Sequence, residues 1–169
     1  NIPNASGAEA GLMGLYESIG NTIWFGTNIG RMYKSVDKGL NWTVSATGIT
    51  DEINVKFKDE NTGFALSLKS PIIVKKTTDG GTTWNTFTPA GYFVKSPFID
   101  FIPGTSSTWV NVGSGSPNKG SSYSLDDCAT FINIDTGSVQ YTAVAFYDIN
   151  TGWAGGYTGT SSPLGGIWK

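Results

Sequence analysis

The sequence predicts an all-β fold built from repeated units of four antiparallel strands, and three observations carry that expectation. First, an eight-residue pattern (hydroxyl, any residue, Asp, any residue, Gly, any residue, Thr or Asn, aromatic) occupies 35–42 and returns at 77–84. A worn third copy lies at 124–131, so Asp37, Asp79 and Asp126 follow one another at steps of 42 and 47 residues. A period of that size marks a repeat architecture. Second, Val55-x-Phe57-x-Asp59-x-Asn61-Thr62-Gly63-Phe64 reappears 89 residues later as Val144-x-Phe146-x-Asp148-x-Asn150-Thr151-Gly152-Trp153, in the same register as the two steps together. Third, 23 glycines with 6 Trp, 7 Tyr and 9 Phe in 169 residues read as short strands joined by tight turns.

Each copy of the pattern reads as a hairpin tied by its own atoms. A carboxylate flanked by small and hydroxyl residues accepts hydrogen bonds from the loop's own N–H groups; Ser35, Thr77 and Ser124 lead the three copies. Gly39 and Gly81 provide the positive φ that such a turn demands. The closing aromatic, Trp42, Trp84 or Phe131, opens the next strand and offers a large apolar face to a neighbouring sheet.

These residues resemble the Asp-box, or BNR, repeat of sialidase-type and sortilin-like β-propellers. The resemblance implies propeller blades of four antiparallel strands, with the box joining the third and fourth strands on the side away from the usual ligand face. It also implies that Ser35, Asp37, Gly39, Trp42, Thr77, Asp79, Gly81, Trp84, Ser124, Asp126 and Phe131 are structural. The third copy departs from the pattern with Cys128 in the glycine position, which leaves that turn's geometry open.

Taken in order, residues 1–11 are small and polar without alternation, a lead-in segment or linker. The first blade covers about 12–48, with strands at 22–26, 31–35 and 41–46. The second covers 52–88, with strands at 53–58, 63–68, 72–77 and 83–87. The third covers 96–136, with strands at 98–102, 108–113, 121–124 and 130–134. The fourth covers 140–169, with strands at 141–147, 152–157 and 166–169; Lys169 aligns with Lys34 and Lys76, each just before a box, so this blade is expected to be incomplete. The expectation is therefore about four blades forming an arc of a larger propeller, whose apolar end faces invite a continuing chain or another protein.

Composition excludes several classes. A net charge of −2 with a single arginine, Arg31, gives no basic stripe for nucleic acid. No apolar run approaches the roughly 20 residues that cross a bilayer as a helix, so no membrane insertion is expected. Neither an initiator Met nor a signal segment opens the chain, which reads as processed or as a piece of something longer. One cysteine, Cys128, allows no internal disulfide, and the lack of histidine removes the commonest zinc ligand; no metal or cofactor is expected.

Few residues suggest chemistry. The sialidase resemblance implies three substrate-gripping arginines, and only Arg31 exists, so that activity is not expected. Another glycosidase needs two carboxylates across a cleft. The candidate is Asp100, at the place where other blades carry Lys56 and Ala145; the competing reading is a solvated channel residue. Asp59 and Asp148 recur in equivalent turns and read as turn caps. Trp24, Trp109 and Trp153 share a second-strand position with Phe64 and read as core anchors, as do Trp42 and Trp84 in their boxes and Trp168 beside the place held by Tyr33. Tyr92 and Phe93, in the loop joining the second and third blades, are the candidate ligand or partner contacts on the face opposite the boxes, against packing over the blade junction. Residues 115–122 imitate a phosphate loop but carry Ser121 where the lysine belongs.

The sequence thus reads as a non-catalytic scaffold or recognition module of a secreted or cell-surface protein, periplasm included. Its partners would be the rest of a longer chain or another protein, with a glycan as a further ligand class. The strand motifs also resemble those of exported bacterial proteins and of photosystem II assembly-factor propellers, although the latter's arginine-rich patch is missing. The competing class is a fragment of an Asp-box glycoside hydrolase, xyloglucanase-like, acting on polysaccharide.

Overall fold

The computed structural model describes residues 1–115, 119–135, 139–158 and 164–168; of Thr158, Leu164, Gly165 and Trp168 only the backbone is described. Lys169, the side chain of Trp168 and the centre of the 115–122 stretch lie outside the described residues. Among the described residues the fold is all-β, four antiparallel sheets of the β-propeller blade kind in two compact units, Asn1–Phe87 and Thr88–Lys169.

The first unit holds two sheets. One is ordered β1 (Gly11–Ile19), β2 (Thr22–Thr27), β3 (Arg31–Ser35), β4 (Thr43–Ala46); the other β5 (Ile53–Phe57), β6 (Gly63–Ser67), β7 (Val74–Thr77), β8 (Asn85–Phe87). Outer strands start two residues later than the sequence suggests, because Asn41 and Thr83 turn back to hydrogen-bond Asp37 and Asp79 and are held in the turn. β7 likewise starts at Val74 and not at 72, since the Ser67 hydroxyl accepts from the Ile73 amide at 2.7 Å and holds the preceding residues in a loop.

Where the two sheets meet, Trp24, Met32, Ile49, Ile53, Val55, Phe57 and Ala65 form one buried cluster, with Ile19 and Trp84 against it. The alternation of strand side chains puts Trp24 and Phe57 on facing surfaces. Their rings stack at 4.1 Å, and the Trp24 indole N–H donates to the carbonyl of Gly80 at 3.1 Å. Phe57 fits because its cross-strand partner is Gly63, where any Cβ would enter the phenyl ring. Phe146 and Gly152 repeat that arrangement in the second unit.

Residues 1–10 lie along the first sheet. The Asn1 carbonyl accepts from the Trp42 amide at 2.8 Å, and Glu9, its side chain turned out of solvent, pairs with Arg31 at 2.8 Å and accepts from the Tyr33 hydroxyl. Burial, and then the neighbouring Glu9 carboxylate, push the Tyr33 phenol above its ordinary value.

The second unit holds a sheet ordered β10 (Phe98–Phe101), β11 (Trp109–Gly113), β12 (Gly120–Ser124), β13 (Thr130–Asp135), and a sheet ordered β14 (Val139–Asp148), β15 (Thr151–Thr158), β16 (Leu164–Trp168). A two-residue strand, β9 (Ala90–Gly91), adds to the outer edge of the former, parallel to β13.

Two tryptophans depart from the sequence reading. Trp24 and Phe64 face Lys34 and Lys76, the residues just before the hairpins, but Trp109 faces Ser124, the hairpin hydroxyl itself. It is therefore one residue out of register, and Val110, opposite Tyr123, holds the position of Trp24 and Phe64. A shift of one residue moves a side chain to the other face of a sheet. Trp109 remains fully buried, against Phe101 at 5.2 Å. Trp153 is no buried core anchor: it is 42% exposed.

Candidate functional site

The three hairpins share one set of bonds. The leading hydroxyl of Ser35, Thr77 or Ser124 donates to the Asp Oδ1 at 2.8 Å each time, and accepts from the amide four residues on at 2.8 to 2.9 Å. The same Oδ1 accepts from the amide of Asn41, Thr83 or Thr130 at 2.8 to 2.9 Å. Oδ2 accepts from that residue's side chain at 2.6 to 2.7 Å. Hydrogen bonds to the charged form lower a carboxyl pKa. The side-chain donor Asn41 or Thr83, followed by the same residue's amide, brings Asp37 and Asp79 down to about 2, and Thr130 lowers Asp126 in the same way. These aspartates are tied ionised inside turns.

The third hairpin keeps this geometry without a glycine. Its two central residues, Asp127 (φ 54°) and Cys128 (φ 66°), adopt the positive φ of Lys38 and Gly39 (58°, 88°) and of Gly80 and Gly81 (70°, 89°). The bonds made by Ser124, Asp126 and Thr130 hold an L-residue in a region it rarely visits.

Tyr92 and Phe93 do not form a free loop on the face opposite the hairpins. The Tyr92 amide donates to the Phe131 carbonyl at 2.8 Å, and the Phe93 ring packs on Phe131 at 5.2 Å, so the segment starts beside the third hairpin and runs along β13. Pairing across β9 and β13 draws both residues there; Tyr92 is 38% exposed and Phe93 half-buried.

Asp100 is not solvated. It is 8% exposed, and its Oδ2 accepts from the Phe146 amide at 2.8 Å, so it joins the two sheets of the second unit. Asp59 accepts from the amides of Asn61 and Thr62 at 2.8 and 2.6 Å, and Asp148 from that of Asn150 at 2.8 Å, which makes both turn caps.

Beside Asp100 lies a feature the sequence did not disclose, an apolar cleft of about 190 Å³ between these two sheets. Val110, Val112, Ser121 and Ile134 line one wall; Val144, Phe146 and Ala154 are on the other. Tyr141, at its edge, donates its hydroxyl to Asp135 at 3.0 Å, and burial followed by that carboxylate pushes the phenol up to about 12. Sequence spacing gives no signal for it, because the turn between β11 and β12 is longer than that between β2 and β3; only the pairing, Val110 opposite Tyr123 and Trp24 opposite Lys34, shows valine where the first sheet has tryptophan.

No protein-family model matches the sequence, and no curated protein matches it. Solved structures share its fold. A structure titled YCF48 bound to D1 peptide superposes with a TM-score of 0.59 at 17% identity, covering 84% of this chain and 46% of its own. A GH74 enzyme from Niastella koreensis gives 0.58 at 17% identity, over 88% of this chain and 22% of its own. An ancestral GH74 enzyme gives 0.56 at 16%, over 80% and 20%. This chain thus spans about half or less of the length of each of these. Identities this low show the fold alone, and that fold is the β-propeller.

Proposed function

We propose that the chain is a run of Asp-box (BNR) blades from a longer propeller, acting without chemistry of its own as a scaffold or recognition module in a secreted or cell-surface protein. The observation that carries this reading is where the six aspartates of the repeated turns and of the Asp100 position go, out of thirteen acidic residues. Three are consumed by hairpins, two cap turns, and Asp100 holds a backbone amide across a sheet junction. A general acid or base needs a carboxylate free to meet substrate. The partner would be another protein or the remainder of the polypeptide, with glycan as a further class. A neighbour bound to a peptide supports the protein-partner reading by analogy of fold only.

A second reading, a polysaccharide-cleaving enzyme of which this is a portion, is favoured by the two GH74 neighbours. Reducing-sugar release by the full-length protein on a polysaccharide panel separates the two. We expect no turnover; turnover abolished by Asp100→Asn, with the fold intact by circular dichroism, would replace the first reading with the second.

A further inference from the structure

The junction between the two sheets of the first unit and the junction between the two sheets of the second share one wall. Val55 pairs with Ala65 and Phe57 with Gly63, just as Val144 pairs with Ala154 and Phe146 with Gly152, each 89 residues further on. All four of the latter line the cleft. In both units the phenyl ring takes the space that its partner glycine leaves free, so the two rings are set alike.

The facing wall differs. Trp24, opposite Lys34, lies on Phe57 at 4.1 Å, whereas Val110, in the same place opposite Tyr123, has no ring to lay on Phe146. One pair along, Gly26 with Met32 becomes Val112 with Ser121, and the valine returns volume that the lost methionine gives up. The net deficit is the indole. Val55, Phe57 and Ala65 are accordingly at most 3% exposed, while Val144, Phe146 and Ala154 are half-buried beside about 190 Å³ of space. A cavity of roughly 150 Å³ already admits a benzene ring in an apolar site.

The groups around this space narrow the chemistry that fits it. No charged side chain is among the described residues that line the cleft. Ser121 and Tyr141 both donate their hydroxyl protons to Asp135 Oδ2, at 3.2 and 3.0 Å, which leaves their own oxygens to accept. An indole N–H needs such an acceptor when buried, and that of Trp24 finds the Gly80 carbonyl.

We infer that the cleft is a binding site for a small, uncharged aromatic molecule of indole size with a ring N–H, held flat on Phe146 as Trp24 is held on Phe57, its N–H facing the Ser121 hydroxyl. Val110 still fills the stem of the missing side chain, so a free ring fits where a ring tethered to a backbone does not. The site adds a small-molecule ligand to the partner classes named above and does not depend on them.

The probe is indole itself, titrated into the isotope-labelled 169-residue chain and followed by NMR. One saturable site is expected, with shifts at Val110, Val112, Val144 and Ala154, none at Val55 or Ala65, whose junction is already filled, and NOEs from indole protons to the Val110 and Val144 methyls. Val110→Trp, which restores the side chain of the first unit, should weaken binding at least tenfold. If that variant does not fold, the NOEs in the wild-type chain decide alone. Absence of saturation, shifts at the first junction, missing NOEs to Val110, or undiminished binding by folded Val110→Trp would each overturn the inference. Tighter binding of N-acetyltryptophanamide than of indole would overturn it too, making the cleft a seat for a protein side chain.

Discussion

Phe57 lies flat against Trp24, ring centroids 4.1 Å apart and planes 10° from parallel, so the two sheets of the first unit meet through a stacked aromatic pair. Trp24 also carries a buried hydrogen bond to Gly80 and the Lys34 ammonium over its ring at 5.7 Å. Trp24→Ala is therefore expected to lower stability by about 3–5 kcal/mol, the range for emptying a buried aromatic site. Urea unfolding followed by tryptophan fluorescence measures it, and a loss under about 1 kcal/mol would mean that the stack is not what joins these sheets.

The hairpin aspartates predict an acid response with a definite sign. Their folded pKa values lie below the ordinary carboxyl range, at about 2 for Asp37 and Asp79. Such groups add stability that is fully present above the unfolded value, roughly 3.9, and that is lost as pH falls through the folded value. The urea midpoint should hold steady from pH 7 to about pH 4 and then fall toward pH 2. In Asp37→Asn/Asp79→Asn that fall should be shallower. Because both sites face solvent, the effect should shrink as salt is added.

Gly39 and Gly81 share the same φ, 88° and 89°, but not the same surroundings. An added methyl at Gly39 would graze the Trp42 ring at 3.4 Å, whereas at Gly81 it would collide with Met32. Gly39→Ala should cost about 1–2 kcal/mol, the penalty for a left-handed L-residue. Gly81→Ala should cost about 1–3 kcal/mol more, from overpacking at the sheet junction. Equal losses in a pair of urea titrations would show that only the turn matters.

At Cys128 two effects oppose each other. Glycine would relieve about 1–2 kcal/mol of left-handed strain but empty a small buried side chain, so Cys128→Gly should leave stability within about 1 kcal/mol of wild type. A β-branched residue keeps the burial and worsens the strain, and Cys128→Val should unfold at clearly lower urea. The reverse order in thermal melts would contradict the assigned backbone.

The hairpins were legible because every bond that closes them lies within eight consecutive residues, and the strands between them followed from spacing. What escaped was tertiary. The salience of tryptophan placed Trp109 with Trp24, whereas the cross-strand partners, Tyr123 and Lys34, place Val110 there; the turns between these strands differ in length, so spacing could not show it, and the cleft stayed hidden with it. A parallel pairing of two residues, Ala90 opposite Thr130 and Gly91 opposite Phe131, leaves no pattern in the chain, so Tyr92 and Phe93 looked unattached. Asp100 looked solvated because nothing local announces the Phe146 amide 46 residues later. Cys128 seemed to break its motif because identity at that position mattered less than the hydroxyl, carboxylate and threonine gripping the backbone around it.

The self-sufficiency of those knots bears on how the chain is assembled. Each aspartate is satisfied by atoms no more than four positions away, so a turn can close before any other sheet exists to lean on it. Local contacts of this kind form early, since little chain entropy is lost in closing so small a loop. The amides of Asn41, Thr83 and Thr130 should thus gain protection from deuterium ahead of the aromatic junctions, with stacking of leaf upon leaf as the slow event.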